Sequence, residues 1–460
     1  MSPDQQTTQA SYRLIVTRRN RSEILLSSRG RAWSLPSVEI AHGLRIAEQL
    51  CATLYAQSGF RAYCLLVPAL VFATQHCAVM EAADPGESAS AGTCWKPLDA
   101  ATCAAMESLE DRTVTQKSIA ALDLYRRRPL HAPFARPGWL SELLAWAREQ
   151  LGPPGLTGAF TQLNASPAFS LMRLETNDSA VWFKATGEPN RHELPITACV
   201  ARLFPGYVPE LLAVHSGWNG WLTREAPGRK LALATGLPLW LKAAHDLARL
   251  QISSIGKQAE LLAGSCRDLR VRTLSAEIDP FIDHLRGLMA AQDKQRPAPL
   301  TDSELTLLRD SLEQACSRLC EMDLPDTLGH LDLNPGNIVV SPERSRFLDW
   351  AEGCVTNPLI TFAYLSEHFR RSGFASAQTT EALAAAYLDP WLSLVSASEL
   401  ARAMELTPLL AVFAYAVTAH SLRSFEGVPD PALAGYLRSL ARRMWRETTE
   451  QSARSESCPA

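Results

Sequence analysis

Gly329-His330-Leu331-Asp332-Leu333-Asn334-Pro335-Gly336-Asn337 precedes the apolar run Ile338-Val339-Val340 and then Phe347-Leu348-Asp349-Trp350. The stretch sets two carboxylates and a carboxamide at fixed offsets around one short β-type run. That set suits phosphoryl transfer from ATP. One carboxylate stands beside the attacking hydroxyl, while a second carboxylate and an amide oxygen hold Mg²⁺ against the terminal phosphates. On this reading Asp332 accepts or orients the hydroxyl proton, and Asn337 and Asp349 are the metal ligands. Taken singly, Asp332 and Asn337 are the residue types that cap ordinary turns. The reading rests on their combination with Asp349 across the Val-Val strand.

The elements that must position these groups are legible nearby. Ile338–Val340 is the strand leaving the loop, and Pro342-Glu343-Arg344 turns the chain back toward Asp349. Upstream, Phe160–Glu175 and Ala180–Ala185 alternate like a β-hairpin, Glu193–Phe204 reads as a helix, and Glu210–Val214 and Gly220–Arg224 as short strands. From Pro238 onward helices dominate. Trp139–Leu151 is a further helix. The last ten or so residues, rich in Ser and charge, are expected to fray.

The loop and its surroundings resemble the catalytic and metal-binding segments of the aminoglycoside phosphotransferase family, which includes choline-kinase-like small-molecule kinases. The resemblance covers about residues 155–425. His330, Asp332 and Asn337 match the family's loop, Leu331 replaces its glycine, and Asp349-Trp350 matches its metal-binding pair. The resemblance implies a bilobal protein-kinase-like fold, with a small β-rich lobe and a large helical lobe. It implies that Lys184, ending Val181-Trp182-Phe183-Lys184, grips the α/β-phosphates, and that Glu193 pairs with it. The turn at Gln162–Phe169, with Asn164 and Ser166, takes the place of the nucleotide-covering hairpin. Leu222–Gly228, including Glu225, takes the place of the interlobe segment beside the adenine. Lysines at strand ends are commonly just solvated, and a first-turn glutamate also favours the helix dipole. One departure is Thr361 in Asn357-Pro358-Leu359-Ile360-Thr361, where the family often carries an aspartate that buttresses the loop.

Residues 11–130 read as a small α/β unit. Tyr12–Thr17 and Ile24–Ser27 are strand-like, Gly43–Ser58 is an amphipathic helix closed by Gly59, Phe60–Phe72 and Cys77–Met80 return to strand character, Asp84–Ser88 is a loop and Thr115–Arg127 a helix. Trp33-Ser34-Leu35-Pro36, the helix ending at Gly59 and Trp95-Lys96-Pro97-Leu98 resemble the Nudix hydrolase fold. That family holds Mg²⁺ with helix glutamates. Counting back from Gly59, those positions hold Thr53, Ala56 and Gln57, the arginine position holds Ala52, and Glu48 is out of register. Without carboxylates the unit has nothing to bind the metal. The expectation is a Nudix-like α/β/α domain over 1–130 without catalytic glutamates, a Pro-rich basic linker over 131–138, and a kinase-fold domain over 139–460, α+β overall.

At 460 residues the chain exceeds one ordinary core. Its hydrophobic fraction of 47% and charged fraction of 20% are those of a globular protein. A net charge of −3 gives no basic excess for nucleic acid or an anionic membrane. The start lacks an apolar secretory segment, and the apolar windows Leu65–Met80 and Leu406–Thr418 read as core, so a cytoplasmic location is expected. The 11 cysteines include no CxxC pair, and Cys316 and Cys320 have no second pair to complete a zinc site. The cofactors expected are ATP and Mg²⁺ and the partner a hydroxylated small molecule, with no nucleic acid and no membrane. A kinase fold that binds nucleotide or metabolite without turnover is the alternative. A protein kinase fits less well, since no G-x-G-x-x-G precedes the lysine and Leu331 stands where an arginine would be. No anionic run follows Asp349 to receive a polycationic aminoglycoside, and oligomeric state is open.

Overall fold

In the computed structural model the chain divides into two compact units, Met1–Arg191 with Leu211–Glu225, and His192–Glu210 with Ala226–Ala460. The structure describes residues 9–456, apart from 19, 30–31, 42–44, 68–70, 73–74, 85–91, 128–131, 154, 295 and 424–430. Most of the loop expected at Asp84–Ser88 and the start of the helix expected from Gly43 lie outside the described residues.

In the first unit, strand Gln9–Arg18 is buried on both faces, as its run Leu14-Ile15-Val16 requires. It pairs antiparallel with Glu23–Arg29 and Ser37–Ala41, and parallel with Gln75–Ala82, Leu14 standing opposite Ala78. The parallel pairing needs a crossover, and helix Ile46–Ser58 lies in that connection. Leu14 and Val16 enter one core with Ala47, Leu50 and Leu54 of this helix. Ile15 points to the other face, into a core with Val114 and Leu122 of helix Leu109–Arg126. Gly59 closes the first helix at φ 79°, its N–H donating to Tyr55 O. That left-handed conformation is the one glycine adopts most easily at a helix end. The second helix starts six residues before the expected Thr115, because Ser108 Oγ accepts the N–H groups of Glu110 and Asp111. Thr93–Pro97 is a strand paired with Glu23–Arg29.

The core on the Ile15 face continues under a second, antiparallel sheet of order Leu211–His215, Gly220–Arg224, Val181–Ala185, Ser170–Thr176, Leu156–Ala165. Phe134 belongs to this core, 2% exposed, and meets Trp139 and Phe183 edge-on at 5.0 and 6.2 Å. The stretch expected as a linker over 131–138 therefore does not divide the two units. Its prolines do exclude regular structure, but Ala132, Phe134 and Ala135 supply enough apolar surface to be buried. Gln162, 1% exposed, ties the two sheets together: its Oε1 accepts the N–H of Cys64 at 2.7 Å and its Nε2 donates to Cys64 O at 3.1 Å.

The second unit is mostly helical around one large core. Helix Leu237–Ser253 is its scaffold. Gln251 Nε2 donates to Pro358 O at 3.0 Å and its Oε1 accepts from Tyr387 Oη at 2.7 Å. Asp246 accepts both the N–H and the hydroxyl of Ser345, at 2.8 and 2.7 Å. Two three-stranded sheets lie against it: Arg229–Lys230, Ile338–Val340, Ser345–Phe347 in one, and Arg267–Leu269, Gly353–Thr356, Thr327–His330 in the other. Ala397–Ser421 is long and apolar enough to cross a membrane, and 67% of that window is buried inside the protein. Its buried residues Leu409, Leu410, Phe413 and Ala414 belong to the large core. The C-terminal helix Pro431–Glu456 runs through most of the tail expected to fray.

Candidate active site

Strand Thr327–His330 delivers the chain into the loop, and Ile338–Val340 carries it away. His330, 1% exposed, is the loop's keystone. Its Nδ1 accepts the N–H of Asp332 at 3.2 Å. A neutral imidazole that accepts at one nitrogen carries its proton on the other. Nε2 is thus the donor, to Leu348 O at 2.9 Å. The same ring lies 4.8 Å from Trp350. One side chain fixes the spacing between the Asp332 turn and the residue before Asp349. A second tie runs from Leu348 N–H to Asn337 O at 2.8 Å.

The Asp332 carboxylate is oriented by two amides. Asn334 Nδ2 donates to Oδ1 at 3.1 Å, and Asn337 Nδ2 donates to Oδ2 at 3.2 Å and to Asp332 O at 2.9 Å. With its NH₂ group so engaged, Asn337 keeps its side-chain oxygen for another partner. Asn334 carries no mark in the motif itself. Its Oδ1 accepts Gly336 N–H at 2.9 Å, an Asx turn. The Asn-Pro-Gly order favours that turn in principle. Asp349 sits at φ 64°, ψ 67°. A non-glycine residue adopts this left-handed region at a cost of about 1–3 kcal/mol. Asp349 is exposed while Trp350 beside it is buried, its Nε1 donating to Phe347 O at 3.1 Å.

Support for the loop comes from two further places. His330 N–H donates to Thr361 Oγ1 at 3.1 Å, in the first turn of helix Pro358–Arg370. His192, just before helix Glu193–Leu203, makes a 2.7 Å bond from Nε2 to Ala351 O. Glu193 itself is buried in that helix's first turn.

Helix Pro358–Arg370 also presents Tyr364 and His368, which belong to no motif in the sequence. Their rings lie 5.3 Å apart, and Tyr364 meets Tyr415 at 5.5 Å. Burial, followed by the charge of Asp332, pushes the Tyr364 phenol well up. Burial and then Arg371 hold His368 below the usual imidazole range, against the opposing pull of Asp332.

The remaining expected residues lie in the first unit. Lys184 shares its strand face with Trp182, and its Nζ stands 5.8 Å from the Trp221 ring. Asn164 pairs opposite Leu171, and Ser166 closes the hairpin turn, its Oγ accepting Phe169 N–H at 3.0 Å. The Glu225 carboxylate is engaged by Arg173, Nε at 2.9 Å and Nη2 at 3.1 Å, and by Trp182 Nε1 at 3.3 Å. Arg173 holds its pKa down. The Glu225 side chain is therefore already engaged within the first unit. Thr53, Ala56 and Gln57 stand along helix Ile46–Ser58, none a carboxylate, and Glu48 faces Arg45 at 3.7 Å. A cavity of about 380 Å³ opens beside Gln57, with Arg13, Ser34, Ser108 and Asp111 in its walls.

The family comparison covers the loop. Residues 192–403 match the phosphotransferase enzyme family. The matched segment contains Glu193, Glu225, Asp332, Asn337, Asp349 and the Tyr364–His368 helix, and leaves Asn164, Ser166 and Lys184 outside. No curated protein matches the chain. Among solved structures, a choline/ethanolamine kinase family protein from Mesorhizobium loti is similar at 18% identity and TM-score 0.45, over 67% of this chain and 98% of that one. A macrolide 2′-phosphotransferase from Brachybacterium faecium is similar at 14% identity and TM-score 0.47, over 66% and 98%. An ethanolamine kinase from Plasmodium vivax is similar at 16% identity and TM-score 0.46, over 63% and 84%.

Proposed function

We propose that the chain transfers the γ-phosphoryl group of ATP to a hydroxyl of a small molecule. The observation that carries the reading is the Asp332 carboxylate, held by Asn334 on one oxygen and Asn337 on the other, with His330 fixing its distance from the Asp349 turn. The acceptor oxygen forms its bond to the γ-phosphorus as the bond from the β,γ-bridging oxygen breaks, and ADP leaves. The hydroxyl proton passes to Asp332. Two amide donors keep that carboxylate in one rotamer, so little reorganisation is needed at the moment of transfer.

Asn337 and Asp349 are hard oxygen donors, and two protein ligands suit Mg²⁺, which takes its other ligands from phosphate and water. Among the described residues no group of three or more His, Cys, Asp and Glu offers a competing site. Bound there, Mg²⁺ would neutralise phosphate charge. Lys184, Asn164 and Ser166, with the backbone around Glu225, are proposed as nucleotide-binding groups from their strand positions, and Glu193 as a supporting carboxylate. A Nudix-like origin for the sheet at residues 9–127 fits its helix-flanked mixed topology and the missing helix acids. The reading is tested by product formation from [γ-³²P]ATP on a panel of hydroxylated metabolites. Asp332→Ala is expected to lose transfer by about 10²–10⁴-fold while still binding Mg·ATP. Full activity in that variant would end the proposal.

A further inference from the structure

The wall beside Asp332 is built of uncharged aromatic groups. The His330–Thr361 hydrogen bond, 3.1 Å, docks the start of the loop on the first turn of helix Pro358–Arg370. Three and seven residues beyond Thr361, on the same helical face, stand Tyr364 and His368. Tyr415 extends the wall from helix Ala397–Arg423, and Tyr436 from the C-terminal helix, its Oη donating to Tyr415 Oη at 2.8 Å. All four side chains are part-exposed, so their surfaces are open to a ligand. The Asp332 charge acts on Tyr364, His368 and Tyr415 alike, which puts the cluster within its reach.

The acids at the edge of this wall are paired. Glu367, the acid on the same helix, is paired with Arg370, with Arg371 at 2.5 Å and with Arg443 at 3.4 Å. Arg443 also reaches Glu447 at 4.0 Å. Three guanidinium groups thus answer two carboxylates, and neither acid of this group is left over for an ammonium ion. Tyrosine faces alone can attract a cation. Here Asp332 favours one at Tyr364 and His368, while Arg443 opposes one at both and Arg371 opposes one at His368.

Resting on the phosphotransfer reading, we infer that the acceptor is an uncharged polyhydroxylated ring, of the glycoside or cyclitol class, laid against Tyr364 and Tyr415. The apolar ring face would cover the tyrosine rings. The phenols and the His368 imidazole, each able to donate or accept, would bond its hydroxyls, leaving one hydroxyl to Asp332.

Calorimetric titration of the full chain tests this without turnover. The probes are methyl α-glucopyranoside, phenyl β-glucopyranoside and myo-inositol, against choline and kanamycin A. At least one uncharged probe is expected to bind ten or more times tighter than either amine, and Tyr364→Leu to weaken it tenfold or more with Mg·ATP affinity unchanged. Tyr364→Phe, which keeps the ring, should retain most of the affinity, and circular dichroism reports whether each variant is folded. Tighter binding of choline or kanamycin A, or of none of the three uncharged probes, overturns the inference, as does an unchanged affinity in folded Tyr364→Leu. Uncharged-probe binding with no phosphate ester formed would keep this site and count against phosphotransfer. Transfer to an amine alone would do the reverse.

Discussion

Thr361 Oγ1 accepts the backbone N–H of His330 at 3.1 Å, and both residues are buried. A threonine here takes the part of the aspartate that the family resemblance leads one to expect: it presents an acceptor to the chain just before Asp332. Thr361→Val keeps the shape and removes the acceptor, leaving a buried N–H unpaired at about 1–3 kcal/mol. The expected result is a lower urea midpoint and reduced kcat, with Thr361→Ser restoring both. Unchanged midpoints for valine and wild type would show that the bond contributes nothing.

Gly329 is a tightly packed point of the chain. A Cβ there would meet Thr356 Cγ2 at 2.5 Å, Cys354 Sγ at 2.9 Å and Thr361 Oγ1 at 3.0 Å. Gly329→Ala must displace one of these buried neighbours, which costs about 1–3 kcal/mol by overpacking. Because Thr361 is among them, transfer activity should fall further than stability alone accounts for. Thermal melts and initial rates on one preparation compare the two.

Gln162 links the two sheets of the first unit through both backbone polar groups of Cys64. Gln162→Leu leaves two buried groups unpaired, with an expected loss of about 1–3 kcal/mol for each. Hydrogen exchange should speed up at Cys64 and along Leu156–Ala165, and far less in Asp302–Cys320. Uniform protection across the chain would contradict the linking role.

The His284 and His420 rings meet tilted at a centroid distance of 4.2 Å, and burial holds both below the imidazole value of 6.5. His420 adds to the lowering at His284. The unfolded chain therefore binds protons more readily. Their contribution is complete above the unfolded value and is lost as pH falls through it toward the lowered folded values. Urea midpoints at pH 7.5 and 5.5 should differ less in His284→Phe than in wild type.

Much of this site is written in local order. Asp332, Asn337 and Asp349 lie within one short stretch, so a strand and two turns suffice to place them. Gly59 likewise marks its helix end through its left-handed backbone. What was not legible depends on distant pairings. Thr361 acts through a backbone group 31 residues away. Tyr364, Tyr415 and Tyr436 come from three helices and form no motif. Phe134 sits among prolines that signal irregular backbone, and such backbone can still be buried when its apolar side chains fit a neighbouring sheet.

The central claim is that Asp332 handles the acceptor proton in a phosphoryl transfer from ATP. Asp332→Asn preserves volume and removes the base, so a single-turnover measurement with [γ-³²P]ATP and a turned-over acceptor isolates its role. The account predicts a transfer rate lowered by about 10²–10⁴-fold, with Mg·ATP affinity within a few-fold of wild type. A rate within a few-fold of wild type would contradict it.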